Sequence, residues 1–203
     1  MRCGMSGLCG HSVQPLPDEP SQELLILGLE GSGKSLLVRR LQGLHGVTPP
    51  GRQPAETMPT MGTEVTTIST GTKATGRKLR LRELGGSMSP IWPDYFSACR
   101  AVIFVVDLAD AANLAPAAVE LYELLQHPDL KMKPLLLVFN KCDAPATVSQ
   151  SDLELVLSLS DLQRVLKSQL NVMEVSAVTG HGVPAMLDWM VKTGAVTGAV
   201  ARE

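Results

Sequence analysis

The chain has no apolar run near the ~20 residues a bilayer-spanning helix needs, so no membrane span is expected. Its first residues lack the long apolar core of a secretory signal. N-myristoylation needs a glycine directly after the initiator methionine, and Arg2 stands there instead. The closing Val200-Ala201-Arg202-Glu203 is not a prenylation box. A myristoylated anchor is therefore not expected. The expected location is cytoplasmic, with peripheral membrane association at most. Charge of one sign is also scarce: 18 Lys and Arg stand against 20 Asp and Glu, so no basic field argues for nucleic acid. The four cysteines, Cys3, Cys9, Cys99 and Cys142, form no C-x-x-C pair and read as free thiols in a reducing compartment. Cys3 and Cys9 lie in the tail and are the weak candidates for acylation. Cys9-x-His11 is too sparse for a metal site.

What the chain does have is a glycine-rich phosphate loop. Residues 28–35 read Gly28-Leu29-Glu30-Gly31-Ser32-Gly33-Lys34-Ser35, the pattern G-x-x-x-x-G-K-[ST]. The apolar run Leu24–Leu27 precedes it, and a helical pattern follows with Leu36, Leu37 and Leu41. Glycines let the backbone turn its N–H groups inward around a polyphosphate. The helix N-terminus behind them adds partial positive charge. Lys34 would reach the β- and γ-phosphates, and the Ser35 hydroxyl would ligate Mg2+.

The 203 residues, 44% of them hydrophobic, suit one globular domain. Residues 1–22 carry no sustained period and read as a flexible tail. The domain is expected over 23–192, with a second tail at 193–203 and the protein acting as a monomer. Strands are expected at 23–27, 63–69, 78–83, 101–106, 134–139 and 172–175. Helices are expected at 34–44, 113–126 and 184–191, with 153–170 helical but broken near Ser158–Ser160. Thr63–Ser69 and Lys78–Glu83 alternate with period two, as an antiparallel pair does, with a turn between them containing Gly71 and Gly76. The continuous apolar runs at 101–106 and 134–139 mark strands buried on both faces. This alternation predicts an α/β fold: a mostly parallel six-stranded sheet with one antiparallel edge pair and helices on both faces. Ligands on such sheets sit at the strand C-termini, where residues 28–35 lie. Residues 45–62 hold four prolines, and a stretch of that length without structure is usually functional.

Asn140-Lys141-Cys142-Asp143 follows a predicted strand at once and forms N-K-x-D. An aspartate carboxylate can accept from guanine N1–H and its exocyclic amine. Adenine would leave it unpaired. Lys141 can lie along the ring face and Asn140 can brace the loop. Ser176-Ala177-Val178 follows the last strand and fits a third base-binding loop, where a backbone N–H meets the guanine carbonyl. Pro59-Thr60 ends the Pro-rich segment. Thr60 can ligate Mg2+ and touch the γ-phosphate, so that triphosphate orders the segment. Glu83-Leu84-Gly85-Gly86 ends a strand with its acid on the metal side and the Gly86 N–H placed for the γ-phosphate. His45 and His127 are expected to be solvated.

On these motifs, residues 23–191 resemble an Arf-family small GTPase (ADP-ribosylation-factor-like), a phosphate-loop NTPase fold. The family's acid within the phosphate loop is matched by Glu30. Pro59-Thr60-Met61-Gly62 is similar to its P-T-x-G motif. The double glycine leading into Ser89-Pro90-Ile91-Trp92-Pro93-Asp94-Tyr95-Phe96 is similar to its second switch. Arg82-Glu83-Leu84-Gly85-Gly86, followed by Pro90-Ile91-Trp92, resembles a divergent branch of that family. The resemblance implies GTP, GDP and Mg2+ as ligands, with Gly28, Glu30, Gly31, Ser32, Gly33 and Lys34 around the phosphates. It implies Ser35 and Thr60 on the metal, with Glu83 indirect. It also implies effectors at segments 50–62 and 83–96, an activating protein and an exchange factor.

Three departures carry consequences. Ser87 stands where the family has the glutamine that orients water, so GTP hydrolysis to GDP and phosphate is expected to be very slow without a partner. Lys34, Thr60 and Gly86 would still hold the phosphates. Glu83 replaces an aspartate, so either the backbone shifts or the Mg2+ affinity changes. The family's aromatic triad becomes Thr63, Arg82 and Tyr95 beside a basic face of Lys78, Arg80 and Arg82. That face reads either as a solvated strand edge or as a surface for an acidic partner. Two functions remain: a slow regulatory switch, or a permanently GTP-loaded scaffold.

Overall fold

The computed structural model describes residues 23–44, 60, 62–70, 77–145 and 147–193. The expected tails (apart from Thr193), Cys3, Cys9, His45, the prolines of 45–59 and the Gly71–Gly76 turn lie outside them. Six strands form one sheet: β1 (Glu23–Leu27), β2 (Thr63–Thr70), β3 (Arg77–Leu84), β4 (Cys99–Asp107), β5 (Leu135–Asn140) and β6 (Leu170–Glu174). Their order is β2-β3-β1-β4-β5-β6, with β2 and β3 antiparallel and every other pair parallel. The helices are α1 (Lys34–Gly43), α2 (Leu114–Gln126), α3 (Gln150–Leu157), α4 (Leu159–Leu166) and α5 (Val183–Thr193).

All five residues of β1 and all six of β5 are buried, as strands covered on both faces must be. Alternate side chains feed two cores. Leu24 and Ile26 pack with α1 and α5, through Leu37, Leu41, Met186 and Met190. Leu25 and Leu27 pack with α2, α3 and Trp92. A 3-10 stretch, Gly86–Tyr95, crosses that second face. There Trp92 is buried edge-on to Phe104 and donates its indole N–H to the Gly85 carbonyl at 3.2 Å. Among the described residues no helix is long and apolar enough to cross a membrane.

The expected break in the fourth helical region falls at Ser158, which adopts left-handed backbone angles between α3 and α4. Ser149 and Asp152 close a capping box at the start of α3. The carboxylate of Glu154 accepts from both the N–H and the hydroxyl of Ser160. Three expectations need correction. The basic strand β3 is not a sheet edge, because β2 lies outside it. Its Arg80 and Arg82 both pair with the buried Glu23 of β1, at 2.7 Å each. His127 is half-buried, its ring edge-on to Phe96 at 5.0 Å, and its Nδ1 accepts from the Asp129 N–H. Thr193 belongs to α5 rather than to a tail.

Candidate functional site

The C-terminal ends of β1, β3, β4, β5 and β6 open onto one rim, and four loops meet there. The first links β1 to α1. Gly33 holds a left-handed φ of 89°, and a Cβ there would collide with the Asn140 amide, so glycine is required on two counts. Ser32 is buried, whereas Glu30 and Gly31 are exposed. Lys34 is buried, and its Nζ donates to the carbonyls of Gly28 and Leu29, both at 2.8 Å. Burial pushes its ammonium down to about 8, against the opposing pull of Glu83 and Glu30.

Three oxygens converge at the start of α1. Ser35 Oγ donates to Glu83 Oε1 at 2.5 Å, Thr60 Oγ1 donates to the same oxygen at 3.0 Å, and the two hydroxyls lie 3.0 Å apart. Glu83 is buried at the end of β3. Beyond it the Gly85 N–H donates to the Gly62 carbonyl at 3.0 Å. Gly86 lies so close to the Leu29–Glu30 backbone that a Cβ would collide with it. Thr60, Glu83 and Gly86 are thus brought onto the first loop and the head of α1, and Gly85 is tied to Gly62. Ser87 is exposed.

Asn140 ties the other end together. It is buried, its Nδ2 donates to the Ser32 carbonyl at 2.8 Å, and its Oδ1 accepts from the Ala177 N–H at 3.2 Å. Lys141 has a left-handed φ of 67° and pairs with Asp107 at 2.6 Å. Asp143 is exposed at the rim. The N–H groups of Ser176 and Ala177, expected at the base, donate within the protein to the His181 carbonyl and to Asn140. Two residues of this region carried no signal in the sequence. Asp107 ends β4 directly opposite Asn140 and holds Lys141. Arg40 in the last turn of α1 donates through Nε to the Ala177 carbonyl at 3.1 Å and through Nη2 to the Val178 carbonyl.

Comparison with known proteins gives the family. Residues 13–194 match the profile described as the ADP-ribosylation factor family. The chain belongs to that family. Like other Arf-family small GTPases, it resembles curated members over most of their length. It is 37% identical to human (Homo sapiens) ADP-ribosylation factor-like protein 16, covering 83% of this chain and 84% of that one. It is 36% identical to ADP-ribosylation factor-like protein 1 of Saccharomyces cerevisiae, covering 83% and 85%. The structure of the Arl6 small GTPase of Trypanosoma brucei, solved with the nucleotide analogue GppNp, superposes with a TM-score of 0.67. That match covers 84% of this chain and 95% of the other at 23% identity, and it fixes the fold as that of the small GTPases. In this Arf-family protein the positions of the aromatic triad form one cluster. The Arg82 guanidinium lies 5.2 Å over the Tyr95 ring, and its Nη1 donates to Thr63 Oγ1 at 3.4 Å.

Proposed function

We propose that the chain is a regulatory switch that binds GTP or GDP with Mg2+ and recruits effector proteins when loaded with GTP. The observation that supports it best is the meeting of Thr60 and Gly86 with the Gly28–Ser35 loop. A polyphosphate there would compete with two carbonyls for the Lys34 ammonium and would lie beside the Gly86 backbone. At the far end of the site, the Asp143 carboxylate accepts from guanine N1–H and the exocyclic amine. The guanine carbonyl would share the Ala177 N–H with Asn140, and the Lys141 stem, held by Asp107, would lie along the ring. Ser35, Thr60 and Glu83 supply hard oxygens of the type Mg2+ selects, so the residues fit the ion. When bound, Mg2+ supplies neutralisation of the charge on the β- and γ-phosphate oxygens. The cluster of Thr63, Arg82 and Tyr95, with segments 50–62 and 83–96, is the effector surface of this reading.

Hydrolysis is slow in this reading. Serine at position 87 is too short to hold water as a glutamine does, and an activating protein must supply that function and an arginine. In a single-turnover assay with GTP, the rate without a partner should stay below about 10⁻⁴ s⁻¹, under the roughly 3–5 × 10⁻⁴ s⁻¹ of a GTPase that keeps the glutamine. Faster unassisted turnover refutes the Ser87 argument. A second reading, a permanently GTP-loaded scaffold, is favoured by serine at position 87 and by Glu83 in place of an aspartate. Mass identification of the nucleotide carried through purification separates the two: GDP indicates a cycling switch, and retained GTP the scaffold.

A further inference from the structure

The three oxygens at the head of α1 are spaced as neighbouring ligands of one cation would be. Neighbouring ligands in a Mg2+ octahedron, each 2.0–2.1 Å from the ion, lie roughly 2.9 Å apart. Ser35 Oγ to Thr60 Oγ1 and Thr60 Oγ1 to Glu83 Oε1 are both 3.0 Å. The third edge, Ser35 Oγ to Glu83 Oε1, is 2.5 Å, the length of a charge-assisted hydroxyl–carboxylate bond. An acid acting through a metal-bound water stands about 2.7 Å beyond that water, and so roughly 4 Å from the ion. Glu83 Oε1 is already within hydrogen-bonding distance of both hydroxyls that would flank the ion. Burial of Glu83 against β1 and β2, with its side chain reaching to the first residues of α1, leaves it little freedom to withdraw. The methylene that distinguishes glutamate from aspartate carries the carboxylate further towards the position that a bridging water would otherwise fill.

We propose that Glu83 binds the divalent cation directly, occupying a coordination position that water would hold beside a shorter acid. The inference rests on the nucleotide and metal reading above and revises the indirect contact expected from the sequence. On binding, the Ser35 and Thr60 hydroxyls turn their protons away from Glu83 and their lone pairs to the ion. The carboxylate changes from hydrogen-bond acceptor to ligand without moving to a new site. Thr60 is then bound to the same centre as Glu83 whether a proton or a cation joins them.

The test uses the full chain with Mn2+ in place of Mg2+, a non-hydrolysable GTP analogue and water enriched in oxygen-17. Electron spin-echo spectroscopy of the Mn2+ then counts its water ligands. Of six positions, Ser35, Thr60 and one oxygen each from the β- and γ-phosphates take four. Direct ligation by Glu83 leaves one water, and the Glu83→Asp protein regains the second. Two waters in the unaltered protein overturn the proposal while leaving the nucleotide reading intact. Mn2+ that fails to bind in a nucleotide-dependent way overturns both. The count in the unaltered chain decides the matter even if Glu83→Asp does not fold.

Discussion

Burying a polar side chain costs free energy unless it is partnered, so the places where such residues gather are informative. Eight polar or charged side chains are buried among the described residues, and five of them (Ser32, Lys34, Glu83, Asn140 and Ser176) line the nucleotide site. The desolvation is therefore concentrated where a ligand's charge can offset it. Of the other three, Glu23 has a structural role: it holds Arg80 and Arg82 of β3. Cys99 shows what burial does to a group without such a role. Its thiol donates to the Phe96 carbonyl, and burial raises it from the ordinary value of 9.0 to about 11, although Lys133 pulls the other way. At pH 8 its thiolate fraction is about a hundredfold below that of an ordinary thiol. Iodoacetamide at pH 8 should thus modify Cys99 at least about a hundredfold faster in urea than in the native protein, read by peptide mass mapping. Equal rates would show that the fold does not protect it. The same shift has a definite sign for stability. The unfolded thiol ionises from pH 9 while the folded one does not, so its contribution is intact below pH 9 and is lost as the pH rises to 11.

At the scale of the element, α1 serves both ends of the site. Its first residues, Lys34 and Ser35, face the phosphate side, and Arg40 in its last turn reaches the loop after β6. Hydrogen bonds from a charged donor contribute about 1.5–3 kcal/mol when buried, less here because Arg40 is partly exposed. Arg40→Ala should therefore raise the GDP dissociation rate about tenfold, measured by displacement of a fluorescent GDP analogue, and Arg40→Lys should recover part of the loss. An unchanged off-rate would mean that Asn140 alone fixes Ala177. This contact also marks the limit of sequence reading. The strands and helices were legible because period and run length are local, and β1 was placed to the residue. Residues 28–35 and 140–143 were legible because each motif lies within a few positions of a strand end. Arg40 and Ala177 are 137 positions apart, and no local pattern joins them. The reading of the Lys78, Arg80 and Arg82 face as a strand edge fails for the same cause: the three residues alternate as on an edge strand, but strand order is a long-range property.

At the scale of the whole molecule, Asn140 joins loops that lie 108 positions upstream and 37 downstream, with one side chain making both bonds. The loops after β1, β5 and β6 therefore share one buried residue, and a ligand spanning phosphate and base sites would tighten all of them together. Ligand that binds the folded state alone stabilises it by RT ln(1 + [L]/Kd), about 4 kcal/mol at a thousandfold excess over Kd. For a domain of this size each kcal/mol moves the unfolding midpoint by roughly 2–4 °C. A saturating excess of GDP with Mg2+ should accordingly raise the Tm by about 8–16 °C, whereas ATP at the same concentration should leave it unchanged. Asp143→Asn should lose the response to GDP and acquire one to xanthosine diphosphate, because the amide donates where the carboxylate accepted. Lys34→Ala should lose the response to every nucleotide. Because Asp143 is exposed and Lys34 lies in the phosphate loop, the two variants separate the base end from the phosphate end. Equal shifts with ATP and GDP would contradict guanine selection. A GDP response that survives in Lys34→Ala would contradict the assignment of residues 28–35.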